Sequence, residues 1–310
     1  MRIGVMGAGG VGGFLGGKIA QSGKDVVFIA RGTHLDALKT SGLSITGSEP
    51  FNLPDVSASA DTETVGPVDI IMFCVKLYDT KKAADQLKPM LGSNTVLLTL
   101  QNGGESAKEI KKVVGNYEVV SGAAYFPANI SAPGEINFKG VIAGKSLVEI
   151  GDSKLTDSNT GQLLLDLLNS SNIPTLLRQD SDVMLWEKFC WIAGVSGVTA
   201  ATRQTIGVIR ADAEMRRLFE SCAHECAEVG RAMGVDLNPD IEGRLMTLLD
   251  TNPATGKSSL LLDLERGRRL ELDGLAGAIH RFGLEHHVPT PVTSTIFTSL
   301  KPFRDGDSAD

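Results

Sequence analysis

The residues that could do chemistry begin with Gly7-Ala8-Gly9-Gly10-Val11-Gly12, which fits G-x-G-x-x-G. An apolar strand pattern, Arg2 to Met6, precedes it, and a helical pattern from about Gly12 to Ser22 follows. In that context each glycine has a use: Gly7 for a tight turn, Gly9 for close backbone approach to a pyrophosphate, Gly12 for close packing of helix on strand. The helix N-terminus adds unpaired N–H groups and a positive dipole end. Arg31 follows the second strand, Val26 to Ala30, where a carboxylate would accept a bond from a ribose 2′-hydroxyl. A guanidinium there suits a 2′-phosphate, and no carboxylate stands near to repel it, so the expected cofactor is NADP(H).

Two further groups end apolar runs. Lys76 closes Val68 to Val75, and Asn102-Gly103-Gly104 closes Thr95 to Leu100. In an open α/β sheet ligands bind at the carboxyl ends of strands, so Lys76 and Asn102 could touch a nicotinamide ribose and a substrate. Equally, Lys76 fits a solvated strand-end charge and Asn102 a left-handed turn residue. Lys188 lies in Trp186-Glu187-Lys188-Phe189, a charged pair within an otherwise apolar helical pattern. Burial would lower its pKa toward neutrality and make it a usable proton donor for carbonyl reduction. A snorkelling lysine on a packed helix is the structural alternative.

The elements around these residues imply an α/β fold: an N-terminal Rossmann-type dinucleotide-binding domain, residues 1–179, followed by an all-α C-terminal domain, residues 180–310. In the first part the apolar runs alternate with helical patterns at Asp79 to Leu91, Glu105 to Val114 and Thr156 to Asn169. Residues 41–61 hold one or two short strands. The closely spaced strands Val119 to Tyr125, Glu135 to Phe138 and Ser146 to Ile150 look antiparallel, and Thr175 to Arg178 is a last strand. From Asp180 onward only helical periods follow, at Ser181 to Val195, Asp212 to Met233, Pro239 to Leu249, Ser258 to Arg269, Leu275 to Phe282 and Val292 to Leu300.

Composition narrows the class. With 42% hydrophobic residues the chain can bury a substantial core, and a net charge of -7 gives no reason to expect a nucleic-acid partner. Cys74, Cys190, Cys222 and Cys226 lie mostly in apolar patterns, as reduced core thiols do. No secretory leader precedes the first strand and no apolar run reaches the ~18 residues of a membrane span, so a cytoplasmic protein is expected. The apolar helices of the second domain allow a homodimer. Thr255-Gly256-Lys257-Ser258 lacks the first glycine of a P-loop, and Gly194-Val195-Ser196-Gly197 lacks the closing glycine of a nucleophile elbow. His224 lies off the helix face shared by Cys222 and Cys226, which argues against a metal, and His286-His287 precedes a proline-rich loop as a surface pair.

Taken together, the chain resembles the ketopantoate reductase (2-dehydropantoate 2-reductase) family from end to end. The glycine turn resembles that family's NADPH turn, and Arg31 its 2′-phosphate contact. Cys74-Val75-Lys76 resembles its strand-end lysine, Gln101-Asn102-Gly103 its asparagine turn, and Trp186-Glu187-Lys188 the segment of its catalytic lysine. Ser258-Ser259-Leu260-Leu261-Leu262-Asp263 through Glu271-Leu272-Asp273-Gly274 is similar to its S-S-M-x-x-D and E-I-D pattern. The resemblance implies NADPH-dependent reduction of 2-dehydropantoate to (R)-pantoate in pantothenate biosynthesis, with hydride to C2 and Lys188 as proton donor. It implies Asn102, Ser259 and Glu271 toward the substrate; Ser196, two helical turns after Lys188, joins them as a candidate, and no metal or membrane is expected. By themselves Ser258 reads as a helix cap and Glu271 as a solvated charge.

One departure bears on the substrate. Where the family has asparagines one and two helical turns after its lysine, this chain has Ile192 and Ser196. An isoleucine makes no hydrogen bond, and a site that loses a polar contact changes what it selects. A reductase of a different small 2-oxo acid, and a non-catalytic NADP-binding redox sensor, are the alternatives.

Overall fold

The computed structural model of the chain describes residues 1–142, 145–151 and 159–307. Its backbone divides into two compact units: Met1–Gln101 with Glu105–Ser181, and Asn102–Gly104 with the residues from Asp182 onward.

In the first unit the order is β1 (Arg2–Met6), α1 (Gly10–Gln21), β2 (Asp25–Ile29), α2 (Gly32–Ser41), β3 (Leu43–Gly47), β4 (Phe51–Leu53) and β5 (Ser57–Ser59). There follow α3 (Thr62–Val65), β6 (Val68–Phe73), α4 (Thr80–Gln86), β7 (Leu91–Thr99), α5 (Ser106–Val114) and β8 (Glu118–Ala124). The unit closes with β9 (Ala128–Ala132), β10 (Glu135–Phe138), β11 (Val148–Gly151), α6 (Asn159–Ser170) and β12 (Thr175–Arg178). An eight-stranded sheet runs β12-β11-β8-β7-β6-β1-β2-β5, with every pairing parallel except β11 against β8. The apolar run of β6 is buried at all but one position, as a central parallel strand requires.

A four-stranded sheet, β4-β3-β10-β9, is separate from it. The three strands expected to be antiparallel neighbours are therefore divided between sheets. β8 runs parallel to β7, β11 is antiparallel to β8, and β10 pairs parallel with β3. Residues 41–61 carry three strands, not one or two. α1 packs against β1 and β2 of one sheet and β3, β9 and β10 of the other, which is why it is buried almost all round. Phe14 stacks on Phe138 at 4.0 Å and meets Phe126 at 5.1 Å, a cluster that ties the small sheet to α1. The helix expected over Asp79 to Leu91 is broken: a 3₁₀ turn at Leu77–Asp79 and another at Lys88–Met90 flank α4, with Pro89 inside the second. Residues 156–158 of the helix expected from Thr156 lie outside the described residues.

Among its described residues the second unit has helices and no strand: α7 (Ser181–Thr202), α8 (Ile206–Ala211), α9 (Ala213–Ala232), α10 (Ile241–Thr251), α11 (Ser259–Glu265), α12 (Ala276–Glu285) and α13 (Pro291–Leu300). α7 is apolar on nearly every face and buried accordingly, and Trp186 meets Phe189 at 5.5 Å and Phe282 at 6.3 Å. Two helix starts are closed by carboxylates. Asp212 accepts from the N–H groups of Glu214 and Met215, and the buried Glu225 accepts from Val292 and Thr293 at 2.8 Å each. α11 stops at Glu265, four residues short of the expected end, and the polar stretch to Glu271 is coil. No helix among the described residues is long and apolar enough to cross a membrane.

Candidate functional site

β1 is flanked by β2 on one side and β6 on the other, so the glycine turn leaves the sheet where the strand order reverses. Gly7 takes φ +99°, and a Cβ there would stand 2.9 Å from the Val75 amide nitrogen. The N–H groups of Gly7 and Ala8 donate to the Ile29 carbonyl, and Ala8 is buried. A Cβ at Gly10 would fall 2.1 Å from the Ala128 carbonyl oxygen, and one at Gly12 would fall 2.2 Å from that of Gly7. Val11, between them, packs half-buried on the core. Gly9 differs from its neighbours. Its two chain neighbours aside, no atom of the described residues lies within 4 Å of a Cβ built on it, and its φ of -75° suits any residue. The fold itself does not need a glycine there. Gly9 is also the N-cap of α1 and offers no side chain to the helix's first N–H groups, and the first turn holds no acidic residue. A glycine that packs against nothing, beside open helix N–H groups, is a cradle shaped for phosphate oxygens.

His34 supports this turn. Its Nδ1 accepts the Gly134 N–H at 3.0 Å, so Nε2 carries the proton and donates to the Ala8 carbonyl at 2.9 Å. One neutral tautomer thus joins the glycine turn to the β9–β10 hairpin. Burial holds its pKa below the ordinary 6.5, the Ala8 bond opposing in part. Because the folded pKa is lowered, the unfolded chain binds more protons below about 6.5, and this part of the stability is lost as pH falls through the folded pKa. A glutamine does not titrate. His34→Gln is therefore expected to show a smaller drop in urea midpoint between about pH 7 and pH 5 than the wild type. Parallel curves for the two proteins would contradict this role.

Arg31 begins α2 from its N-cap position and is 77% exposed, with its Nη2 2.6 Å from Asp79 Oδ2. The expectation that no carboxylate stands near it is corrected. Asp79, 48 residues further along the chain, arrives from the loop after β6, which the sheet order places on the same edge of strand ends. Lys76 is half-buried in that loop, where it is the N-cap of the 3₁₀ turn. The loop is pinned by the buried Gln101, whose Nε2 donates to the Val75 carbonyl and to Thr80 Oγ1, at 3.0 and 2.8 Å. Nothing in the sequence singled out Gln101 or His34 for these duties.

A second group of candidate residues belongs to the helical unit. The turn Asn102–Gly104 is counted in it, although it follows a strand of the other unit. The left-handed residue of the turn is Gly103, at φ +87°, and Asn102 is not among the residues with positive φ. Gly104 abuts the Trp186 indole nitrogen, at 3.2 Å from its would-be Cβ, which sets the turn against the segment bearing Lys188. Lys188 is half-buried and is the only cation in α7. Ile192 and Ser196 follow at one-turn intervals on the same face, both buried, at 8% and 5% exposure. Near the end of that face Thr199 donates to the Val195 carbonyl, so Ser258 donates to Thr199 Oγ1 at 2.6 Å. Ser258 also accepts from the Leu261 N–H and caps α11. This closed set fixes the helix start and leaves Ser259, its first residue, exposed. Glu271 is 7% exposed, which corrects its reading as a solvated charge. These residues combine a cation, an amide, a hydroxyl and a buried carboxylate in one unit, the groups needed to hold a small oxo acid and protonate it.

The decoys have structural employment. Gly194 lets α7 approach Phe219, 2.6 Å from its would-be Cβ. His224 lies against Glu242 at 3.0 Å, away from the buried Cys222 and Cys226, and His286 and His287 are exposed. All four cysteines are free, and burial pushes the Cys222 thiol up to about 12.

Known proteins share the fold of this chain. The profile of the family described as ketopantoate reductase PanE/ApbA matches residues 3–154, and that of the C-terminal part of the same family matches residues 180–304. The 2-dehydropantoate 2-reductase of Mesorhizobium japonicum is 27% identical over 322 residues, covering 97% of each chain. That of Archaeoglobus fulgidus is 28% identical over 309 residues, covering 98% of each. A solved PanE/ApbA family ketopantoate reductase from Ralstonia eutropha superposes with a TM-score of 0.88 at 28% identity, over 98% of each chain. A D-mandelate dehydrogenase solved with NADH and anilino(oxo)acetate shares the fold, at TM-score 0.88 and 21% identity over 98% of each chain. With both halves matched, the chain belongs to the ketopantoate reductase PanE/ApbA family of oxidoreductases.

Proposed function

We propose that this chain reduces 2-dehydropantoate to (R)-pantoate with NADPH. The observation that carries the reading is the half-buried Lys188, the only cation of a buried helix, in the same unit as Asn102, Ser259 and the buried Glu271. The turn from Gly7 to Gly12 and the α1 N-terminus would hold the pyrophosphate, Arg31 the 2′-phosphate, and Lys76 and Asn102 the nicotinamide ribose. The nicotinamide, when bound, supplies the hydride to C2. Lys188 gives its proton to the oxygen as the alkoxide charge develops there. Ser259 donates to the substrate carboxylate, Glu271 accepts from a hydroxyl or from Lys188, and Ser196 adds a small polar contact. The test is NADPH oxidation with a panel of 2-oxo acids. Turnover of 2-dehydropantoate is expected, and NADPH binding without turnover of any 2-oxo acid would leave a non-catalytic NADP-binding sensor.

Ile192 favours a second reading, a different and less polar 2-oxo acid. It is buried one turn from Lys188, on the face that carries Ser196. If the missing amide limits the reaction, Ile192→Asn raises kcat/KM on 2-dehydropantoate by about tenfold or more and lowers it on apolar 2-oxo acids. An unchanged ranking across the panel would free the substrate assignment from this position.

A further inference from the structure

We propose that Asp79 sets the cofactor preference, restraining the pull of Arg31 on a 2′-phosphate so that the chain accepts NADH alongside NADPH. The proposal rests on the reading of Arg31 as the 2′-phosphate contact. The pair is asymmetric. Arg31 is 77% exposed while the Asp79 side chain is only 21% exposed. A phosphate can therefore reach the outer N–H groups of the guanidinium, but it cannot do so without approaching a carboxylate that is held in place. The holding is visible. Asp79 closes the Leu77–Asp79 turn with its N–H on the Lys76 carbonyl at 2.9 Å, and Thr80 Oγ1 donates to the Leu77 carbonyl at 2.8 Å. Gln101 clamps both ends of this loop, at Val75 and Thr80. Asp79 stands at the N-cap of α4, where an aspartate ordinarily bonds to the first helix N–H groups, yet its side chain makes no capping bond and turns to Arg31.

The consequence is one of charge. Guanidinium and carboxylate together are neutral, and a 2′-phosphate brings about two negative charges to them. It gains the guanidinium and is repelled by Asp79. A 2′-hydroxyl meets no repulsion and can donate to the carboxylate, the usual arrangement for NAD.

The experiment is titration of the full-length protein with NADPH and with NADH, followed by nicotinamide fluorescence, for wild type, Asp79→Asn and Arg31→Ala. Asp79→Asn is expected to tighten NADPH binding by roughly three- to tenfold, the size of a partly exposed charge–charge interaction, and to leave NADH unchanged or weaker. The isosteric amide and retained NADH binding report that the fold is intact. Arg31→Ala is expected to weaken NADPH by about tenfold or more with little effect on NADH. If Asp79→Asn weakens NADPH as Arg31→Ala does, Asp79 only orients the guanidinium: this proposal is overturned and the Arg31 reading stands. If Arg31→Ala leaves the NADPH-to-NADH ratio unchanged, the Arg31 reading falls and takes the proposal with it.

Discussion

Lys188→Ala is expected to lower kcat by about 10²- to 10⁴-fold, the contribution of a positioned general acid. NADPH affinity should hardly move, because the glycine turn and Arg31 belong to the other unit. The fold should also survive. α7 runs 22 residues and keeps Trp186, Phe189 and Cys190 in the core without help from a half-buried lysine stem. Lys188→Arg separates two roles. A guanidinium keeps the positive charge beside the developing alkoxide but does not release a proton near neutral pH. If proton donation dominates, the arginine variant stays nearly as slow as the alanine one. If electrostatic stabilisation dominates, it recovers much of the rate. An alanine variant within about threefold of wild type would remove Lys188 from the chemistry.

The second large effect contrasts Gly9 with its neighbours. Gly9→Ala is expected to leave the melting temperature nearly unchanged, since the added methyl meets no atom of the described residues within 4 Å beyond its chain neighbours and the backbone there is extended. It should weaken NADPH binding by roughly 30-fold or more, because a methyl in the cradle holds a pyrophosphate away from the helix N–H groups. Gly10→Ala and Gly12→Ala should behave in the opposite sense. Their methyls would meet backbone oxygens at 2.1 and 2.2 Å, so they should cost about 1–3 kcal/mol or more of stability before any cofactor is added. Differential scanning fluorimetry with and without NADPH reads both quantities. A Gly9→Ala protein that retains its full NADPH-induced shift would place the pyrophosphate elsewhere.

These contrasts also show how far the sequence carries. β1, α1 and β2 were legible because strand, glycine turn and helix are local patterns, complete within thirty or so residues. α7 was legible from the length of its apolar run, and the Ser258 cap from its place before Leu260 and Leu261. The small sheet was not, because Glu135 pairs with Ser44 across the chain and β9 holds only one β-branched residue, Ile130. α8 has six residues, with Gly207 packed on Ala254, and offers no helical period to detect. In the candidate site, residue types were readable and their partners were not. Arg31 was legible as a cation after β2, whereas Asp79 reaches it only through sheet order. Glu271 is buried, yet its sequence neighbourhood carries no local mark of burial.

The central claim is that this chain moves a hydride from NADPH to C2 of a 2-oxo acid. The most direct measurement uses NADPH doubly deuterated at nicotinamide C4, with 2-dehydropantoate and the wild-type protein, and mass analysis of the product. The account expects pantoate carrying one deuterium at C2 for each NADPH consumed. NADPH consumed without deuterium in a 2-hydroxy acid, or bound and never consumed, would contradict it.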